Sequence, residues 1–318
     1  MRAPDFWNTR GLAGALLSPL GAAVALGGAA RRAIARPAKA SVPVICVGNL
    51  TVGGAGKTPT VAAIASHLIA KGRKPAILSR GYGGHERGPL RVDPAAHDCR
   101  RVGDEPLLLS ATAPVYVGGN RAASARIAVA DGADILVMDD GFQNPGLVKD
   151  RSFVVVDGEV GFGNGRLFPA GPLREPIAWG VARAQACVLI GADQRGAAAS
   201  TGLPVFRADL VPDDETLCNS RVFAFAGIGR PGKFFDTLVQ MGAILAGSRE
   251  FDDHHPYTRA EIEALIAAAA KVGARAVTTR KDIMRVPADL RAQIATLGVH
   301  LRFADATALD RLIAPGTI

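Results

Sequence analysis

Aromatic residues are scarce, at 5 % of the 318-residue chain. That scarcity argues against the stacking platforms that bind single-stranded nucleic acid. Cysteine is sparse too. Cys46, Cys99, Cys187 and Cys218 form no C-x-x-C pair, and three sit in or beside apolar runs. Buried, reduced thiols of a cytosolic protein are expected, and a structural zinc site has no support. His67, His85, His97 and His300 follow no metal-binding spacing. No internal repeat is present. A guanine-reading Asn/Thr-Lys-x-Asp motif is also missing, since Thr279-Arg280-Lys281-Asp282 matches it only superficially. Among nucleotides, ATP is therefore favoured over GTP.

Apolar residues make up 48 % and charged residues 21 %, which excludes a largely disordered chain. The length suits about two domains, with about 75 % of the unfolded surface buried. The net charge of +8 is concentrated at one end. Residues 1–40 hold Arg2, Arg10, Arg31, Arg32, Arg36 and Lys39 against Asp5, a local +5. Such a distribution suits an anionic membrane surface better than a nucleic-acid groove, and no nucleic-acid partner is expected. Residues 11–30 carry no charge and could just span a bilayer. Pro19 and several glycines interrupt them, however, and Ala dominates. Ala38-Lys39-Ala40 resembles a signal-peptide cleavage site, but the nucleotide loop that follows needs cytosolic ATP. An interfacial helix anchored by flanking Arg and Lys is the preferred reading, ahead of a true span or an ordinary packed helix.

From residue 42 onward, short β-rich runs alternate with helical ones. Strands are predicted at 42–47, 75–79, 114–117, 135–138, 153–156 and 186–190, and helices at 58–71, 105–111 and 122–130. Continuous apolar strands between helices indicate an α/β fold, with a parallel sheet covered by helices on both faces. A Gly/Pro-rich stretch at 158–180 reads as a long functional loop. The run 204–212 reads as an extended connector. A second, smaller α/β set follows, with strands near 222–226, 243–249, 276–279 and 300–303 and helices near 233–241, 259–271 and 307–313. The expected organisation is a membrane-interface segment at 1–40, a P-loop domain at 41–203, the connector at 204–212 and a second α/β domain at 213–318.

The strand at 42–47 runs into Gly48-Asn49-Leu50-Thr51-Val52-Gly53-Gly54-Ala55-Gly56-Lys57-Thr58. Glycines let backbone wrap round phosphate oxygens, and N–H groups at a helix start favour anions. Residues Thr51 to Thr58 are the expected ATP-binding loop. Lys57 would reach the β/γ-phosphates, and the Thr58 hydroxyl would ligate Mg²⁺. The strict P-loop pattern wants Gly where this chain has Thr51. An acid at the end of a neighbouring apolar strand completes such a site, and Ile135–Met138 is followed by Asp139 and Asp140 as candidate metal residues.

Several segments together resemble one family, the tetraacyldisaccharide 4′-kinases of lipid A synthesis. They are GNLTVGGAGKTP (48–59), SRGYGG (79–84), VGDEP (102–106), GGNR (118–121), DDGFQ (139–143), GRLFPAGPLREP (165–176), FAFAGIGRPGKFF (223–235) and DDHHPYT (252–258). The resemblance implies transfer of the γ-phosphoryl of MgATP to the 4′-hydroxyl of an acylated disaccharide 1-phosphate, giving lipid IV-A. It also implies peripheral attachment to the cytoplasmic face of the inner membrane, and two domains closing over a nucleotide cleft. It assigns Asp104 as general base and His254 as its partner. It places Arg80, Tyr82, Asn120, Arg121 and Gln143 along the cleft. Two departures stand out: Asn144 replaces the family's His, and Arg280 replaces a Glu in Thr278-Thr279-Arg280-Lys281-Asp282. A monomer is expected. Two other readings compete: a P-loop kinase acting on a soluble acceptor, and a nucleotide-switched binding or chaperone protein.

Overall fold

The computed structural model describes residues 4–213, 215–305 and 307–313. Arg2 and residues 314–318 of the expected second domain lie outside them. Eight strands precede the second set: β1 (Val44–Gly48), β2 (Pro75–Ser79), β3 (Leu90–Arg91), β4 (Val115–Val117), β5 (Ile135–Asp139), β6 (Arg151–Asp157), β7 (Ala186–Ile190) and β8 (Val205–Pro212). Five more follow: β9 (Arg221–Ala226), β10 (Ile244–Glu250), β11 (Arg275–Thr279), β12 (Ala295–Leu297) and β13 (Val299–Phe303).

The large sheet runs β13-β8-β7-β6-β1-β5-β2-β4-β3. Its seven central strands are parallel, and the edge strands β3 and β13 are antiparallel to their neighbours. Every residue of β1, β2, β5 and β7 is buried, because helices cover both faces. Alternation along β1 divides the core into two layers. Ile45 and Val47 pack against Val61, Ile64 and Leu68 of helix Lys57–Ala70. Val44 and Cys46 face the other layer, which includes Ala125 and Ala128 of helix Arg121–Ala130.

The smaller sheet, β10-β9-β11-β12, is parallel throughout. Helix Pro231–Gln240 covers one face with Phe234, Phe235 and Leu238. Helix Arg259–Lys271 covers the other with Ile262, Leu265 and Ala269. Its Thr258 and Glu261 form a reciprocal capping box.

The expected connector at 204–212 is instead β8, a full member of the large sheet. The end of the expected second domain also belongs to that sheet. Strand β13 pairs with β8 from Val299↔Pro212 to Phe303↔Ala208, and Leu312 joins the large core. The β8 pattern is only half-buried, so its sequence reads as a link although its backbone is fully paired. Arg280, the charge-reversed position, lies 2.6 Å from Asp213 at the end of β8, and His300 reaches the other oxygen of Asp213 at 2.9 Å.

The N-terminal segment forms one continuous helix, Leu12–Ile34, despite Pro19. It is long and apolar enough to cross a membrane. Gly14, Gly21 and Ala25 are its buried positions. They let the helix lie close to the 158–180 loop, where a Cβ on Gly21 would meet the Leu167 carbonyl oxygen at 2.9 Å. Leu12 and Leu16, by contrast, are 85 % and 80 % exposed. Two of the basic residues at the end of this helix bond the body of the protein. Arg31 donates to the Gln143 carbonyl at 2.9 Å, and Arg32 pairs with Glu175 at 3.5 Å. Gly21→Val should force the helix off Leu167 at a cost of about 1–3 kcal/mol. Faster limited proteolysis between residues 35 and 43 would report it, and a wild-type cleavage rate would contradict this docking.

Candidate functional site: a phosphate loop facing a carboxylate–histidine pair

β1 leads into the glycine-rich loop, which ends at Gly56, the N-cap of helix Lys57–Ala70. Gly56 is in the left-handed region at φ 85°, which favours glycine, and a Cβ there would also crowd Ile190. Thr51 needs no such freedom. It forms a β-bridge with Leu173, flanked by Val52 N–H donating to the Pro172 carbonyl at 2.7 Å and Arg174 N–H donating to the Leu50 carbonyl at 2.7 Å. The long loop therefore braces the phosphate loop in an extended conformation there, which explains Thr in place of Gly.

Asp139 ends β5 beside β1, with Val47 its register partner. Its side chain is almost wholly buried, and one carboxylate oxygen, Oδ1, has no hydrogen-bond partner. Burial, helped by the charges of Glu105 and Asp140, pushes its pKa up to about 7. Asp140 differs. It sits at φ 48°, where Arg174 Nη1 donates to both its oxygens at 3.0 and 3.1 Å and Lys57 Nζ lies at 3.8 Å. Burial works against its charge, but Lys57 and Arg174 bring its pKa below the ordinary carboxylate value.

Asp104 opens helix Asp104–Leu109, and its Oδ1 accepts from the Glu105 N–H at 2.9 Å. Its Oδ2 lies 3.1 Å from His254 Nδ1, which comes from the smaller α/β unit. Burial raises the Asp104 pKa, but the His254 hydrogen bond and the charges of Lys281 and Arg285 outweigh it and leave a net lowering. Among the described non-glycine residues only Asp140, His254 and Asn219 have positive φ, so two of the three strained positions are predicted site residues. The two units also meet at the phosphate loop itself, since a Cβ on Gly229 would lie 3.4 Å from Gly54 N.

The other expected cleft residues separate. Tyr82 is exposed and stacks edge-on against His254, centroids 5.1 Å apart. Arg121 is buried, with Nε unpartnered; burial lowers its pKa to about 10, against the attraction of Asp139. Arg80 is exposed and near enough to oppose the Arg121 charge. Asn120 caps its helix through Ala123 N–H at 3.1 Å. Gln143 braces the phosphate loop, donating to the Asn49 carbonyl at 3.0 Å and to Glu175 at 3.2 Å. Asn144 closes a local turn on Gly146 N–H at 2.8 Å.

Sequence reasoning passed over Glu105, Arg174, Glu175, Lys281 and Arg285. Arg174 and Glu175 lie inside the quoted GRLFPAGPLREP run, and Lys281 inside the quoted TTRKD run. A charged residue within a Gly/Pro-rich segment was the available signal.

A glycine loop between strand and helix, followed by Lys57 and Thr58 and flanked by an aspartate at the neighbouring strand end, defines a P-loop phosphotransferase. Comparison with known proteins narrows this. The family model for tetraacyldisaccharide-1-P 4′-kinase matches residues 13–315. The tetraacyldisaccharide 4′-kinase of Rhodospirillum centenum is 53 % identical, covering 99 % of this chain and 96 % of its own length. That of Paramagnetospirillum magneticum is 54 % identical over 95 % and 94 %. The crystal structure of LpxK from Aquifex aeolicus in complex with ATP aligns with TM-score 0.75 and 26 % identity, covering 95 % of this chain and 98 % of that one. The chain belongs to the tetraacyldisaccharide-1-phosphate 4′-kinase family.

Because the Asp139 pKa is raised on folding, ionising this residue costs stability. The cost is absent below about pH 4, grows as pH rises and is complete above about pH 7. Asp139→Asn removes it. In Mg²⁺-free buffer the melting temperature of that variant should gain on the wild type between about pH 4 and pH 7 and level off above pH 7, by calorimetry. A pH-independent difference would show that Asp139 does not titrate there.

Proposed function

We propose that this cleft carries out the family's reaction, with its chemistry divided between the two α/β units. The enzyme is a kinase of lipid A biosynthesis, phosphorylating the 4′-hydroxyl of tetraacyldisaccharide 1-phosphate from ATP. The observation that carries the division of labour is the Asp104–His254 contact at 3.1 Å, which brings a carboxylate and an imidazole from different units together beside the phosphate-loop acids. Residues 51–58 cradle the ATP phosphates, and Lys57 balances the charge of the transferring group. Asp104 takes the proton of the 4′-hydroxyl as that oxygen bonds to the γ-phosphorus, and the bond to the β–γ bridging oxygen breaks to release ADP. His254 holds Asp104 in place. Arg80 and Arg121 supply positive charge for a phosphate group.

The donor set suits a hard cation. Asp139 offers an unpartnered buried oxygen, whereas Asp140 is already engaged by Arg174 and Lys57. Asp139 and the Thr58 hydroxyl would hold Mg²⁺, and bound Mg²⁺ would supply charge neutralisation at the β/γ-phosphates. The helix Leu12–Ile34 would rest its exposed leucines in the cytoplasmic face of the inner membrane. The acylated acceptor then need not leave the bilayer, a step that costs about 0.8 kcal/mol for each methylene withdrawn.

The test is transfer of labelled γ-phosphate from ATP to tetraacyldisaccharide 1-phosphate in detergent micelles, with and without Mg²⁺. Asp104→Ala should lower kcat by about 10²- to 10⁴-fold with little change in the KM for ATP. Unchanged turnover would remove Asp104 as the base. Replacing Leu12, Leu16 and Leu20 with Ser should abolish co-sedimentation with lipid vesicles and leave ATP affinity intact. Retained sedimentation would rule out this face as the anchor.

A further inference from the structure

The ring of His254 has a second nitrogen, and it too is occupied. Lys281 Nζ lies 3.3 Å from His254 Nε2. The same ammonium donates to Glu105 Oε1 at 3.1 Å and lies 3.9 Å from Asp253. A lysine ammonium has donors only, so in this hydrogen bond Nε2 accepts, and the Asp253 carboxylate, 3.8 Å from Nε2, lies beyond hydrogen-bond reach of a ring proton there. The single ring proton of the neutral imidazole then resides on Nδ1, the atom facing Asp104. We infer that Lys281 is a positioning residue, which fixes His254 as the Nδ1–H tautomer and so keeps a donor aimed at the carboxylate of Asp104.

The local fold is arranged to present it. Thr279 caps the short helix Arg280–Ile283 through the Asp282 N–H at 3.0 Å. Asp282 is fully buried and accepts from Gly227 N–H and the Tyr257 hydroxyl, each at 3.0 Å. With Asp282 locked inward, Lys281 projects from this helix and Arg285 from the turn that follows it, and Arg285 itself bonds the Asp282 carboxylate at 2.6 Å. Lys281 reaches His254, and Arg285 Nε lies 3.3 Å from Asp104 Oδ2. This short segment thus supports both members of the pair. The substitution at Arg280 leaves this intact, since Arg280 pairs with Asp213 instead. The ammonium also keeps its charge. Burial acts against it, but Glu105, Asp104 and Asp253 outweigh burial and hold its pKa above the ordinary lysine value.

The inference rests on the reading of Asp104 and His254 as a catalytic pair, and the experiment separates the two. The full-length enzyme, labelled with ¹⁵N-histidine, is observed by NMR in detergent and assayed with MgATP and the tetraacylated acceptor. The wild-type His254 should show a protonated Nδ1 and a bare Nε2. In Lys281→Met this preference should disappear and kcat should fall about tenfold or more, short of the roughly 10²- to 10⁴-fold expected for the base itself. The KM for ATP should hold. Lys281→Arg, which restores a donor, should recover the tautomer and most of kcat. A protonated Nε2 in the wild type would overturn the inference, and that spectrum needs no variant to fold. Full kcat in Lys281→Met, with Asp104→Ala inactive, would overturn it and leave the pair standing. Full turnover in Asp104→Ala would instead bring down the pair itself.

Discussion

One buried carboxylate, Glu175, ties the working parts together. It is about 1 % exposed, and three groups neutralise or bond it: Arg183 at 2.8 and 2.9 Å, Gln143 at 3.2 Å and Arg32 at 3.5 Å. A buried carboxylate stripped of its partners costs several kcal/mol, so the surrounding elements are fixed relative to one another. Gln143 belongs to the acidic turn after β5, Arg32 to the N-terminal helix, and Arg183 follows the short helix Ile177–Val181 that ends the long loop. Gln143 also bonds the first residue after β1, through the Asn49 carbonyl. The helix Leu12–Ile34, the acidic turn after β5 and the glycine-rich loop are thereby held by one anion. The pairing of half-buried Arg32 with Glu175 has this cause.

Adjacent acids at the end of β5 divide their work for similar reasons. Asp139 is the last residue of an interior strand of the sheet, where burial raises its pKa. Asp140 is turned by its positive φ toward Lys57 and Arg174, which lower its own. A single backbone rotation between neighbours therefore separates an acid with an unpartnered buried oxygen from one already bonded by Arg174.

Much of this was legible in the sequence. Strands at 75–79 and 186–190 and the helix at 259–271 were readable to the residue, because buried parallel strands and a capped amphipathic helix have strong local patterns. Glycine placement and the Lys-Thr pair located the phosphate loop. What local pattern could not reveal was pairing. The half-polar run of β8 looks like a link until β13 returns to cover it. The bracing of Thr51 by Leu173 spans more than a hundred residues. Lys281 was visible in its motif, yet its contact with His254 depends on the burial of Asp282, which only the fold settles. Asn120 caps its helix on backbone, and Gln143 bonds the Asn49 carbonyl together with Glu175 and Arg174, contacts that local pattern could not reveal.

The pairing of β13 with β8 also bears on how the chain is made. On the ribosome, β8 emerges long before its partner, and residues 213–298 must be synthesised in between. Throughout that interval the large sheet carries an open edge, the kind of surface that recruits stray strands. The smaller α/β unit lies wholly within the interval and has its own sheet and two cores, so it can collapse while the edge waits. The last strand then closes the first unit only after the second exists. The order of synthesis thus makes the unit that carries His254 a precondition for finishing the sheet that bears the glycine-rich loop.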